Sequence, residues 1–68
     1  PLDLADIGKE NVIKKIGGSP DVKKHLEDLG FTAGGLVTVV SAMGGNVIVK
    51  VKESRIAISR EMARRIMI

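Results

Sequence analysis

His25, Glu27 and Asp28 are the residues of this chain that lie close together in sequence and could ligate a metal. A divalent cation held by protein side chains wants about four ligands converging on one point. On a helix, Glu27 and Asp28 stand only part-way round from His25, and His25 flanks an apolar stripe. The reading is a half-buried or surface histidine, with no metal bound. Met43, Met62 and Met67 carry thioethers that suit a soft metal, but their spacing is that of two core fillers and one loop residue. The sequence holds four serines and a single histidine, with no nucleophile elbow and no second base. A phosphate-binding loop with its lysine is absent, so the chain is not itself a nucleotide hydrolase. Paired carboxylates working in a deep cleft are not expected either, because so small a domain has little room for one. The expectation is a non-enzyme that uses no cofactor and works by recognition.

The composition narrows what could be recognised. Phe31 is the one aromatic residue, and a lone aromatic in a small domain is expected to be structural. Proline-peptide grooves and single-stranded nucleic-acid platforms both need several exposed aromatics. Phosphate contacts to duplex or structured RNA need only Lys and Arg, and so survive. A protein–protein adaptor survives too, through an edge strand, a glycine loop or a helix face. The net charge is +3, unevenly spread. Residues 1–34 carry five Lys and six Asp or Glu, and residues 35–68 carry six Lys or Arg against two Glu. Lys50, Lys52, Arg55, Arg60, Arg64 and Arg65 make the second half basic, which suits an anionic partner or a solvated face.

These side chains need elements to position them. Residues 2–8 read as a mixed lead-in that could pair at an edge. Residues 11–16 read as a strand ended by Gly17 and Gly18. Ser19 is placed to cap a helix, with Pro20 at its first position and Asp21 in its first turn. Val22, Leu26 and Leu29 form the helix's apolar stripe, with Lys23–Glu27 and Lys24–Asp28 as pairs on the wet side. Gly30 falls where a helix end wants a left-handed residue, and Phe31 where an apolar side chain folds back on Leu26. Residues 36–40 are a β-prone run with Val37 and Val39 on one face. Residues 41–46 read as a hairpin loop. Val47, Val49 and Val51 alternate with Ile48, Lys50 and Lys52, as in a strand with one buried face. Residues 53–55 read as a turn, residues 56–58 as a strand, and Ser59 as the cap of a closing helix. That helix has Met62, Ala63, Ile66 and Met67 on its apolar side and Arg60, Arg64 and Arg65 outside.

Sixty-eight residues make one domain, spanning 1–68. A chain of this size buries only about 60% of its unfolded surface, so the core must be economical. No cysteine is present, which excludes disulfides and thiolate metal sites and fits a reducing cytosol. No apolar run approaches the ~20 residues needed to span a bilayer, and no signal peptide is visible. The order of strand, helix, three strands and helix avoids exposed edges best by curling into a small barrel.

Leu26-x-x-Leu29-Gly30-Phe31-Thr32-x-Gly34-x-x-Val37-x-Val39 resembles the FeoA family, small cytosolic proteins of bacterial ferrous iron transport. The opening, Leu4-Ala5-Asp6-Ile7-Gly8 then Val12 to Gly18, is similar to the family's. So are the stretch from Ile48 to Val51 and the end, Arg55-Ile56-Ala57-Ile58-Ser59-Arg60-x-x-Ala63-x-x-Ile66. The resemblance implies a mainly β, SH3-like barrel with a helical insertion and a short C-terminal helix. It also implies an adaptor that binds the cytosolic GTPase region of a FeoB-type membrane transporter and modulates uptake. The family's barrel also forms the C-terminal domain of iron-dependent repressors. A detached repressor domain and a small basic RNA-binding barrel are therefore the rival readings. Expected partner contacts are the helix face (Lys23, Lys24, Glu27), the loop (Met43, Gly44, Gly45) and Arg55. The segment from Ser41 to Asn46 departs from the family in being short and glycine-rich.

Overall fold

A computed structural model describes residues 1–68. A 3-10 turn at Leu2–Leu4 leads into β1 (Glu10–Val12) and β2 (Lys15–Ile16), then α1 (Pro20–Asp28). Three long strands follow, β3 (Leu36–Met43), β4 (Asn46–Val51) and β5 (Ser54–Ser59). A single helical turn, α2 (Arg60–Ala63), and a short strand, β6 (Ile66–Met67), end the chain. The strands form a four-stranded antiparallel sheet in the order β1-β3-β4-β5 and a two-stranded sheet, β2-β6. The expected mainly β architecture with two short helices is what the chain adopts.

The valines build the interior. Val37 and Val39 of β3 lie opposite Val51 and Val49 of β4, and Val47 lies opposite Ile58 of β5. All six are buried. Phe31, Leu26, Ile13, Ile16, Leu2, Ala63 and Ile66 complete one core cluster of 13 residues. Alternation puts these side chains on the inner face and leaves Thr38, Ile48 and Lys50 facing outward. Leu2 is fully buried, so the lead-in supplies a core residue. It also pairs at an edge as anticipated, with the Gly8 N–H donating to the Val39 carbonyl at 2.8 Å.

Both helix starts follow from their caps. The Ser19 and Ser59 hydroxyls accept from the Val22 and Met62 N–H groups at 3.3 and 3.1 Å. The end of α1 is a paired-bond stop. The Phe31 N–H donates to the Leu26 carbonyl at 3.0 Å and the Gly30 N–H to the Glu27 carbonyl at 2.9 Å. This arrangement requires a left-handed residue between helix and strand, and Gly30 has φ +109°. It turns Phe31 inward, where it is 0% exposed.

Four expected boundaries move. The run expected as one strand at residues 11–16 is extended but changes partner midway. Ile13 exchanges hydrogen bonds with Gly34 and Gly35, while the Lys14 N–H donates to Met67. The expected loop at residues 41–46 is mostly strand. β3 runs to Met43, and only Gly44 and Gly45 turn, because a bulge between Val39 and Ser41 lets the pairing continue. The expected turn at residues 53–55 is tighter, with Lys52 and Glu53 alone between Val51 and Ser54, so Arg55 belongs to β5. Finally, Ile66 and Met67 are not helical. α2 stops after one turn, and β6 pairs with β2 instead, which satisfies the backbone of Lys15 and Ile16. Among the arginines expected outside, Arg60 is half-buried, and Arg64 makes an ion pair through Nε to Asp3 Oδ2 at 3.2 Å. The other Asp3 oxygen is buried without a partner.

Phe31→Ala is expected to cost roughly 3–5 kcal/mol, enough to unfold much of so small a domain, as read from its thermal melt. Gly30→Val should cost roughly 1–3 kcal/mol through the backbone conformation it forbids, since Gly30 has φ +109°. Melting of both variants at the parent temperature would contradict the helix-stop account.

Candidate docking surface

The outer face of the four-stranded sheet carries the polar chemistry. One register row crosses all four strands: Glu10 on β1, Thr38 on β3, Lys50 on β4 and Arg55 on β5. The next row holds Val12 opposite Leu36, each 52% exposed. The glycine turn that leads into β3 walls this face and leaves a groove of about 440 Å³ lined by Gly34, Gly35, Leu36, Thr38, Lys50 and Lys52. Glu10 and Glu53 line it too. A second, smaller hollow of about 380 Å³ lies where Gly17 and Gly18 meet Arg64 and Arg65, with Glu61 beside them. Arg64 is already engaged there by Asp3.

The structure distributes the expected contact residues over three regions. Lys23, Lys24 and Glu27 are exposed on α1, with no ion pair to one another or to Asp28. His25 is also exposed. Met43, 73% exposed, stands at the β3–β4 tip. Gly44 and Gly45 form that tip, and Arg60 holds it down. The Arg60 Nε donates to the Gly44 carbonyl at 2.9 Å and its N–H to the Gly45 carbonyl at 3.0 Å. Arg55 is exposed at the other end of the sheet. Asn46, paired with Met43, and Lys50, paired with Arg55, are separated along β4 by roughly 13 Å at strand rise. The tip and Arg55 are thus not one cluster.

What the structure adds beside Arg55 is Lys50, directly across the β4–β5 pair, and Lys52 at the adjoining turn. The alternation of valines with Ile48 and Lys50 in β4 carries the signal that Lys50 faces outward. Reading residues 53–55 as a turn hides the pairing, because it removes Arg55 from the strand. No group of three or more His, Asp or Glu side chains is placed to hold a metal ion. No helix is long and apolar enough to cross a membrane.

Known proteins share this fold. The family model for the FeoA domain matches residues 1–68. A protein of Methanocaldococcus jannaschii named Fe(2+) transport protein A is 35% identical over 68 residues, all of this chain and 83% of that protein. The crystal structure of an iron uptake regulatory protein, FeoA, superposes with a TM-score of 0.89 at 25% identity, covering 97% of this chain and 89% of that one. Stenotrophomonas maltophilia FeoA, solved with zinc and described as a procaryotic SH3 domain protein, gives 0.84 at 22% identity, covering 97% and 85%. A manganese-dependent transcriptional repressor contains the same fold, with a TM-score of 0.86 at 15% identity over 96% of this chain but only 38% of its own. The curled sheet is therefore the SH3-like one, and with the FeoA domain model matching residues 1–68, this chain belongs to the FeoA family.

Proposed function

We propose that this chain is a cytoplasmic accessory protein of ferrous iron transport, acting by contact with the cytosolic region of a FeoB-type transporter. The observation that carries the reading is the match along all 68 residues to a protein named for Fe(2+) transport. The sequence supports it by offering charged and glycine-rich surface in place of reactive clusters. The role assigned to the chain is to bind and to modulate, with no catalytic step and no resident cofactor. Attachment at the inner face of the membrane would follow from the partner. Lys23, Lys24 and Glu27 on α1, the Met43–Gly45 tip and Arg55 are the proposed contact regions. The sheet end at Arg55 and the hairpin tip are far enough apart that a small partner element would engage one of them.

The repressor-domain reading draws on likeness of fold alone. The RNA reading draws on the basic second half of the chain, and it requires affinity that falls steeply with salt.

Titration of the chain into the transporter's purified cytosolic region, under reducing conditions and in both GTP- and GDP-bound states, is expected to show saturable binding near about micromolar Kd. Absence of binding in both nucleotide states would overturn the adaptor reading. Steeply salt-dependent binding to a structured RNA, with none to the transporter, would favour its rival.

A further inference from the structure

Two choices of residue at one end of the sheet are locally unfavourable. Lys50 and Arg55 face each other directly across β4 and β5, both outward and both exposed. Like charges in that position destabilise a strand pair. Neither has a carboxylate partner, the chain's one ion pair being Arg64–Asp3. Two residues on, Lys52 has φ +55° and is the one non-glycine residue with positive φ. It occupies the first loop position of a two-residue hairpin, where glycine or asparagine sits with less strain. Each choice keeps a positive charge beside the same groove. Conflicts between local preference and global fold concentrate at functional sites.

The groove's other walls say what those cations would meet. Leu36 lies in it half-exposed, with Val12 opposite, so one margin is aliphatic. Gly34 and Gly35 present bare main chain to it. Glu10 and Glu53 line the groove as well, so the excess of positive charge is confined to the end where Arg55 stands across from Lys50, which fits isolated carboxylates at that end better than a continuous run of phosphates. No aromatic is present to stack a base, since Phe31 is buried.

We propose that this groove docks a short acidic segment of a protein partner. Its carboxylates would lie on Lys50, Lys52 and Arg55, and an aliphatic side chain would lie on Leu36 and Val12. The proposal rests on the adaptor reading and specifies the chemistry of the segment that the partner supplies. Charge complementarity of this kind sets encounter rate and orientation. The like-charge pair is then relieved in the complex, at the same moment as the groove is filled.

The test uses the full chain, isotope-labelled, with two probes followed by amide chemical shifts. One is a synthetic peptide of alternating Glu and Leu, with its Lys-Leu counterpart as control. The other is the transporter's cytosolic region. The Glu-Leu peptide is expected to move the amides of Leu36, Lys50, Lys52 and Arg55 and to leave the hairpin tip unmoved. Lys50→Glu is expected to weaken that binding about tenfold, while its melting temperature stays at or above the parent's because Glu now faces Arg55. Arg55→Glu should behave alike, as a second variant. The transporter region should give the same map and the same losses. If the Glu-Leu peptide fails to bind, binds no better than the Lys-Leu peptide, or is insensitive to both variants, the groove proposal falls. It falls equally if the transporter binds with shifts elsewhere, or if a duplex RNA displaces the peptide at lower concentration. Peptide binding at the groove with no transporter binding would support the acidic-segment site while removing the adaptor reading.

Discussion

Residues 10–16 hydrogen-bond to two different partners, and the rest of the molecule depends on that division. As far as Ile13 this extended run belongs to β3 and the glycine turn before it, and from Lys14 onward it belongs to β6. A strand shared between two sheets bends the surface round on itself. It therefore lets a short chain enclose a core with few free edges. The Gly17 N–H, donating to the Arg65 carbonyl at 2.6 Å, carries the second ladder one residue further. Closure then delivers Ile13, Ile16 and Ile66 into the same apolar interior as the valines of β3 and β4.

The two helices fit that closure differently. α1 is defined at both ends by its own residues, with a serine cap at the start and a left-handed glycine at the end, and it contributes Leu26 and then Phe31 to the core. α2 has a comparable cap but only one turn, because the chain must leave it to reach β2. Arg60, at its first position, ties the β3–β4 tip to the helix through side chain and main chain. The glycine hairpin is consequently a braced corner of the fold, although its sequence reads as a free loop.

Much of this was legible in the residues. The alternating valines gave the buried faces of β3 and β4, the serine–proline and serine–arginine junctions marked the helix starts, and Leu26-x-x-Leu29-Gly30-Phe31 marked the helix stop and pointed to the FeoA family. The outward groove was only half legible. The outward direction of Lys50 follows from period-two alternation, but its pairing with Arg55 depends on how tight the next turn is. That turn contains no glycine, and Lys52 carries the positive φ. Sequence rules expect a longer connection where no residue is suited to a short one.

The sequence alone determined which side chains are apolar on one face, where each helix is capped, and that no reactive cluster exists within any local stretch. Those properties depend on residues a few positions apart, whose spacing is the chemistry. The tertiary structure alone decided that Ile66 and Met67 form a strand, that residues 10–16 serve two sheets, and that Lys50 confronts Arg55. Each of these is a pairing between distant segments, selected by which backbone groups remain unsatisfied once the core has closed. That competition is resolved over the whole chain at once and leaves no signature in a local window.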